Sequence, residues 1–150
     1  MKIRDLKIKL VEKKENSRLL AYAEFIIEDF RIREVRIIQG DTKKFVAMPS
    51  RKVDNQKYID ICHPINSECR KQLEEIILEK YESVRKIEIL KSKINLPNNM
   101  YFGVEEIKET KEVKVVVFNE DRTINNEYLL PDFTDETIEE LSDKILSKCN

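Results

Sequence analysis

The N-terminal half of the chain alternates between apolar and polar residues in short runs separated by polar turns. Such period-two alternation predicts β-strands with one face against a core. The first strand is predicted over 2–11, with Leu6, Ile8 and Leu10 on one face. Four more strands are predicted, at 18–28, 30–38, 44–48 and 57–62. Short strands joined by tight turns predict an antiparallel meander.

Two irregularities interrupt this pattern. The apolar phase of the third strand shifts near Arg33 and Glu34, which predicts a β-bulge. Pro49 ends the fourth strand, and the polar residues 50–56 are predicted to form a loop. Aromatic residues at strand spacing are typical of a core, so Phe25 and Phe45 are assigned to it.

The period of the pattern changes after Pro64. Apolar residues then recur at three- and four-residue spacing from Cys69 to Val84, which predicts an amphipathic helix. Asn66 or Ser67 can cap the N-terminus of this helix. Strands followed by one helix indicate an α+β layer in which the helix covers one face of the sheet.

Residues 85–150 contain further strand and helix patterns. Further strands are predicted at 86–94, 113–118 and 127–130. Thr134 is predicted to cap a last helix over 135–148, whose apolar stripe contains Ile138, Leu141 and Ile145. The predicted fold class is therefore α+β: an antiparallel β-meander with a C-terminal helix packed on the sheet (1–84), followed by a small strand–strand–helix unit (85–150).

Composition excludes several classes of protein. Of the 150 residues, 41% are apolar and 38% are charged, which suits a packed core under a solvated surface. No run approaches the roughly 18 apolar residues of a membrane span. The N-terminal residues alternate and do not form a signal peptide, and the three cysteines form no CxxC pair. We therefore expect a cytoplasmic protein with reduced thiols.

Charge is distributed unevenly along the chain although the net charge is only −1. Residues 1–84 carry 18 basic and 15 acidic side chains, whereas residues 85–150 carry 10 and 14. A mildly basic half is therefore joined to an acidic one. The asymmetry indicates a partner for one half of the chain only.

The segment FVAMPSRK at 45–52, followed by YIDICHPINSECRKQ at 58–72, is the most specific motif in the chain. It resembles the SpoVG (stage V sporulation protein G) family, in which FVAMPS and two basic residues precede a D-I-A-H-P-I-N-S stretch and an arginine. The upstream strands LLAYAEFIIEDFRIREVRIIQG also fit, so the resemblance covers about residues 1–84. Cys62 and Cys69 depart from the usual Ala and Thr, which loosens the transfer of individual contacts.

The resemblance implies a function that the residues alone do not specify. It implies a homodimer built by strand pairing between protomers, which binds DNA and possibly RNA. It also implies a regulatory role in septation, sporulation and gene expression, without catalytic activity or a cofactor. Residues 85–150 lie outside the resemblance, and their function is left open.

Four cations are the candidate nucleic-acid-binding residues. Arg51 and Lys52 follow the strand-ending Pro49 and can contact phosphates. Arg70 and Lys71 lie in the first turn of the helix, where backbone N–H groups favour an anion. The alternative for these two is a solvated face with ion pairs to the acids at 74 and 75. The resemblance favours binding.

Three polar or aromatic residues are candidate supporting residues for the same interface. Tyr58 could stack on a base. Asn66 and Ser67 could contact nucleic acid, although caps of the helix are the simpler interpretation.

An enzyme is poorly supported by the residue pattern. The chain has one histidine, His63, no glycine-rich phosphate loop and no cluster with metal-ligand spacing. We expect His63 to hydrogen-bond within its loop, and we expect no metal, cofactor, membrane or small-molecule substrate. The alternative to a nucleic-acid-binding regulator is a protein-interaction module that acts through its sheet edge or its acidic extension.

Overall fold

A computed structural model describes residues 1–110, 112–130 and 134–149. The chain divides into two compact units, Met1–Glu82 and Ser83–Asn150. The longest element, helix α1 (Ser67–Lys93), contributes residues to both. Each unit packs helical residues against an antiparallel sheet, which confirms the predicted α+β class.

The first unit contains a four-stranded antiparallel meander and a separate hairpin. The meander has the order β1-β2-β3-β4, with strands Ile3–Leu10, Leu19–Ile27, Phe30–Gln39 and Lys44–Ala47. The hairpin pairs β5 (Ser50–Asp54) with β6 (Lys57–Asp60). The predicted loop over 50–56 is therefore wrong, because most of it is strand β5.

One face of the meander forms the core of the first unit. Alternate residues of β2 and β3 point toward α1, among them Ala23, Phe25 and Val35, all of which are 2% exposed or less. Leu73 and Ile77 of α1 pack against them. The predicted bulge is confirmed: Glu34 has φ 59° and the β2–β3 register shifts beside it.

The predicted strand over 86–94 is also wrong, because α1 continues through it. The alternation of Ile87 and Ile89 with polar neighbours imitates a strand. The stretch from Ser67 to Ile94 contains no glycine or proline, so nothing in it ends a helix. Leu90 of α1 and Ile94, which directly follows the helix and donates its N–H to the Leu90 carbonyl, are buried in the core of the second unit.

The second unit has a three-stranded sheet of order β7-β8-β9, with strands Tyr101–Glu106, Val113–Phe118 and Ile124–Leu130. Strand β7 was not predicted, whereas β8 and β9 were. Helix α2 (Asp135–Cys149) buries the predicted stripe, of which Ile138 and Ile145 are 0% exposed. Thr134 caps α2 as predicted, since its Oγ1 accepts a hydrogen bond from the Thr137 N–H at 3.3 Å.

Candidate nucleic-acid interface

The β5–β6 hairpin carries two of the four predicted cations on an exposed surface. Every residue from 51 to 60 is exposed. Lys52 is paired across the strands with Tyr58, whose side chain is 62% exposed. The hairpin therefore places one predicted cation beside the one predicted aromatic residue.

The two faces of this hairpin differ in chemistry. Ser50, Lys52 and Tyr58 share one face, because residues two apart on a strand and residues paired across strands point the same way. Arg51 is paired with Ile59 on the opposite face. Ile61, 66% exposed, follows β6 and donates its N–H to the Pro49 carbonyl at 2.7 Å. The face that contains Arg51 is therefore the more apolar one.

The other two predicted cations lie at the N-terminus of α1. Asn66 caps this helix through its Oδ1, which accepts the Cys69 N–H at 2.7 Å, while Ser67 is the first helical residue. Arg70 and Lys71 are exposed. Within the part of the chain that the structure describes, neither makes an ion pair, so the expected alternative of pairs with nearby glutamates is not observed. One of those acids, Glu74, instead accepts a hydrogen bond from the Val46 N–H at 3.1 Å.

The hairpin cations and the helix cations lie on separate elements, Arg51 and Lys52 on β5 and Arg70 and Lys71 on α1. Arg70 lines a small cavity with Val46 and Pro64 on the helix side of the meander. A single patch of all four cations remains a prediction.

Sequence reasoning missed a groove beside the hairpin. It has a volume of about 340 Å³ and is lined by Tyr22, Arg36, Ser50 and Tyr58, among others. The Arg36 Nη2 donates a hydrogen bond to the Ser50 Oγ at 3.3 Å. The signal in the sequence that could have revealed this groove is the set of polar residues in β2 and β3 that alternate with the buried ones.

Two assignments of aromatic residues have different outcomes. Phe25 is 0% exposed and belongs to the core, as predicted. Phe45 is 38% exposed, and its alternation with buried Val46 places it on the opposite face of the meander. Its assignment to the core is therefore wrong.

The local geometry of Cys62 and His63 favours structural roles. The His63 Nδ1 donates a hydrogen bond to the Pro64 carbonyl at 2.9 Å, as expected for a loop-stabilising histidine. Burial, with a smaller contribution from Asp60, raises the pKa of the Cys62 thiol. A raised pKa favours the protonated thiol, which is the poorer nucleophile.

Comparison with known proteins identifies the first unit. The family model for SpoVG matches residues 1–83. The chain belongs to the SpoVG family. A relative from Agathobacter rectalis, named "Putative septation protein SpoVG", is 40% identical over 84 residues, which cover 55% of this chain and 94% of the relative. Relatives of the same name include one from Phytoplasma australiense, 42% identical over 56% of this chain and 86% of the relative. Another, from Fusobacterium nucleatum, is 40% identical over 54% and 88%.

The SpoVG match ends where the second unit begins, so membership of the family says nothing of residues 84–150. These relatives are named as septation proteins. Among the described residues, no helix is long and apolar enough to cross a membrane.

Proposed function

We propose that this SpoVG family member is a dimeric regulator of septation and gene expression that binds DNA, and possibly RNA, through its first unit. The observation that carries this proposal is the exposed hairpin face of Lys52 and Tyr58. A cation for phosphate and a ring for a base stand side by side there, which is the pairing that nucleic-acid-binding surfaces use.

The N-terminus of α1 supplies a second anchoring point in this proposal. Cations at a helix N-terminus oppose the helix dipole, so an isolated helix gains nothing from Arg70 and Lys71 at these positions. A bound phosphate reverses this balance, because it interacts favourably with both cations and with the first backbone N–H groups. Asn66 and Ser67 shape this end of the helix, and Asn66 acts as its cap.

The proposed dimer would form through strand pairing and through the apolar face of the hairpin. A two-stranded hairpin alone is marginally stable in water. Ile59, Ile61 and Ile65 are 40%, 66% and 90% exposed in the single chain. Burying them against a second copy, with an edge strand of the meander paired across the interface, would stabilise the hairpin. Light scattering at micromolar concentration should then give twice the mass of 17.9 kDa, and a monomer at high concentration would exclude the dimer.

Salt dependence of DNA binding tests the proposed activity. We expect the logarithm of the affinity to fall linearly with the logarithm of the salt concentration, by about 0.9 per phosphate contact. Replacing Arg51, Lys52, Arg70 and Lys71 together by alanine should weaken binding to many sequences and flatten this slope. The fold should persist, because none of the four is buried.

A charge-matched variant controls for the loss of four positive charges. Lys13, Lys14, Lys43 and Lys108 are exposed and lie away from the hairpin and the helix N-terminus in sequence. Their replacement by alanine should affect binding less. If the control variant loses more affinity than the four-cation variant, the assigned interface is wrong.

The exposed apolar residues of the second unit favour a second candidate function, that of a protein-interaction module. Its sheet exposes Tyr101, Ile124 and Leu129, which are 43%, 57% and 54% exposed. A group of exposed apolar side chains on one sheet is typical of a protein-interaction surface. Insensitivity of partner binding to salt would favour this candidate over the first.

A further inference from the structure

The face of the four-stranded meander that lies opposite α1 carries cations around an aromatic residue. Lys9 is paired with Tyr22, Tyr22 with Arg36, and Arg36 with Ala47, so the four residues form one row across all four strands. Their neighbours along the strands, such as Ala21, Ala23 and Val35, are buried against the helix side. The side chains of the row therefore point away from α1.

This face is concave and continuous with the hairpin. A groove of about 480 Å³ is lined by Lys7, Lys9, Tyr22, Glu24 and Arg33, among others. The groove of about 340 Å³ beside Tyr58 shares Tyr22 and the acidic Glu34 with it. Together they form a path from strand β1, past two exposed tyrosines, to the hairpin face that contains Lys52.

Four cations and two carboxylates line this path: Lys7, Lys9, Arg33 and Arg36 against Glu24 and Glu34, so positive charge is in excess. Glu24 is compensated, since its carboxylate lies 3.1 Å from the Arg31 guanidinium and 3.7 Å from that of Arg33. Within residues 1–110, 112–130 and 134–149, Lys9 makes no ion pair and Arg36 bonds only to the neutral Ser50 hydroxyl. Two cations without carboxylate partners thus flank the Tyr22 ring, which is 41% exposed.

We propose that this open sheet face binds single-stranded nucleic acid, with a base stacked on Tyr22 and the flanking phosphates held by Lys9 and Arg36. The inference rests on the proposed function and deepens it. Paired bases are stacked inside a duplex and present no free face to a tyrosine, whereas unpaired bases stack on aromatic side chains of an open sheet. Tyr58 would accept a second base further along the strand.

The test compares Tyr22→Ala with Tyr101→Ala in the full-length protein. Tyr101 is the matched control, because it is 43% exposed on the sheet of the second unit. The probes are a labelled oligo(dT), the corresponding oligo(U) and a duplex of the same length. Tyr22→Ala should weaken binding of the single strands roughly tenfold, as loss of one stacked base does, with a smaller effect on the duplex. Lys9→Ala with Arg36→Gln should also flatten the salt dependence for single strands.

A tryptophan variant gives an independent readout. The chain contains no tryptophan, so Tyr22→Trp introduces a single fluorescent reporter at the proposed stacking position. The variant should retain binding, and oligo(dT) should quench its fluorescence. A tryptophan whose emission does not change at saturating oligo(dT) would contradict stacking.

The possible failures are distinguishable. If the unmodified protein binds neither single strands nor duplex, the proposed function fails and this inference fails with it. If it binds but prefers duplex, or if Tyr22→Ala loses no more affinity than Tyr101→Ala, the inference fails while the proposed function stands. If Tyr22→Ala instead dissociates a dimer, the face is an interface between copies and the inference is wrong.

Discussion

The two units of this chain build their cores by the same rule but expose different sheet faces. In both, alternate apolar strand residues are buried, such as Val35 in the first unit and Val115 in the second. The open face of the first unit carries the Lys9, Tyr22 and Arg36 row. In the second unit, Tyr101 stacks on Phe118 with ring centroids 5.1 Å apart.

Charge follows the same division. The single cation on the open face of the second sheet, among its described residues, is Lys114, which lies 3.1 Å from the Glu127 carboxylate across the strands. The first open face retains cations without such partners. Packing of the buried strand residues therefore explains why both units fold. The residues that alternate with them, on the open face of each sheet, determine what that sheet can bind. The SpoVG match covers the unit with the available cations.

The largest expected effect is the loss of stability when a buried side chain is removed from the core of each unit. Ile77→Ala in the first unit and Ile138→Ala in the second each remove a fully buried side chain. Each should lower the free energy of unfolding of its own unit by about 2–5 kcal/mol. Urea unfolding followed by circular dichroism should show which transition moves, and oligonucleotide binding should be impaired only by Ile77→Ala. Equal loss of binding in both variants would mean that the second unit takes part in the interface.

A smaller loss of stability is expected when the helix cap of either unit is removed. The Asn66 Oδ1 accepts the Cys69 N–H at 2.7 Å, whereas the Thr134 Oγ1 accepts the Thr137 N–H at 3.3 Å. Alanine at either cap should cost about 0.5–2 kcal/mol, with the larger cost at Asn66 because its hydrogen bond is shorter. Thermal unfolding of the two variants measures the difference. A greater loss at Thr134 would contradict this ranking of the caps.

The smallest expected effect is a pH dependence that each unit shows separately. The hydrogen bond from Arg31 lowers the pKa of Asp5 in the first unit, and that from Lys93 lowers the pKa of Glu139 in the second. A lowered folded-state pKa means that each carboxylate contributes stability above its unfolded pKa. This contribution is lost as the pH falls through the folded-state value. Both groups are exposed, so solvent screening keeps the effect small.

Asp5→Asn and Glu139→Gln test this dependence one unit at a time. Each variant should reduce the acid-induced drop in melting temperature for its own unit and leave the other unit unchanged. The measurement is the melting temperature followed from neutral to acidic pH. An acid response that is identical in the wild type and both variants would show that other carboxylates dominate.

Much of the fold could be predicted from the sequence because its signals are local. Period-two alternation located β1 to β4, the phase shift located the bulge at Glu34, and the stripe around Ile138 located α2. Each depends on residues within a few positions of one another. The motif at 45–52 likewise pointed to the family, which the match over residues 1–83 confirms.

Other features depended on partners distant in the sequence. Residues 50–54 form a strand because β6 pairs with them, and their own composition resembles a loop. Ile87 and Ile89 alternate as in a strand, yet burial of Leu90 and Ile94 in the second core keeps this segment helical.

The open face was decided by strand register. The sequence contains Lys9, Tyr22 and Arg36 as separate polar-phase residues with no visible relation. Only antiparallel pairing brings them into one row, and a one-residue slip of any strand would move its member to the buried face. The sequence by itself thus determined the elements and the family, whereas the tertiary structure decided which cations and tyrosines share a surface, because that depends on pairing between distant strands.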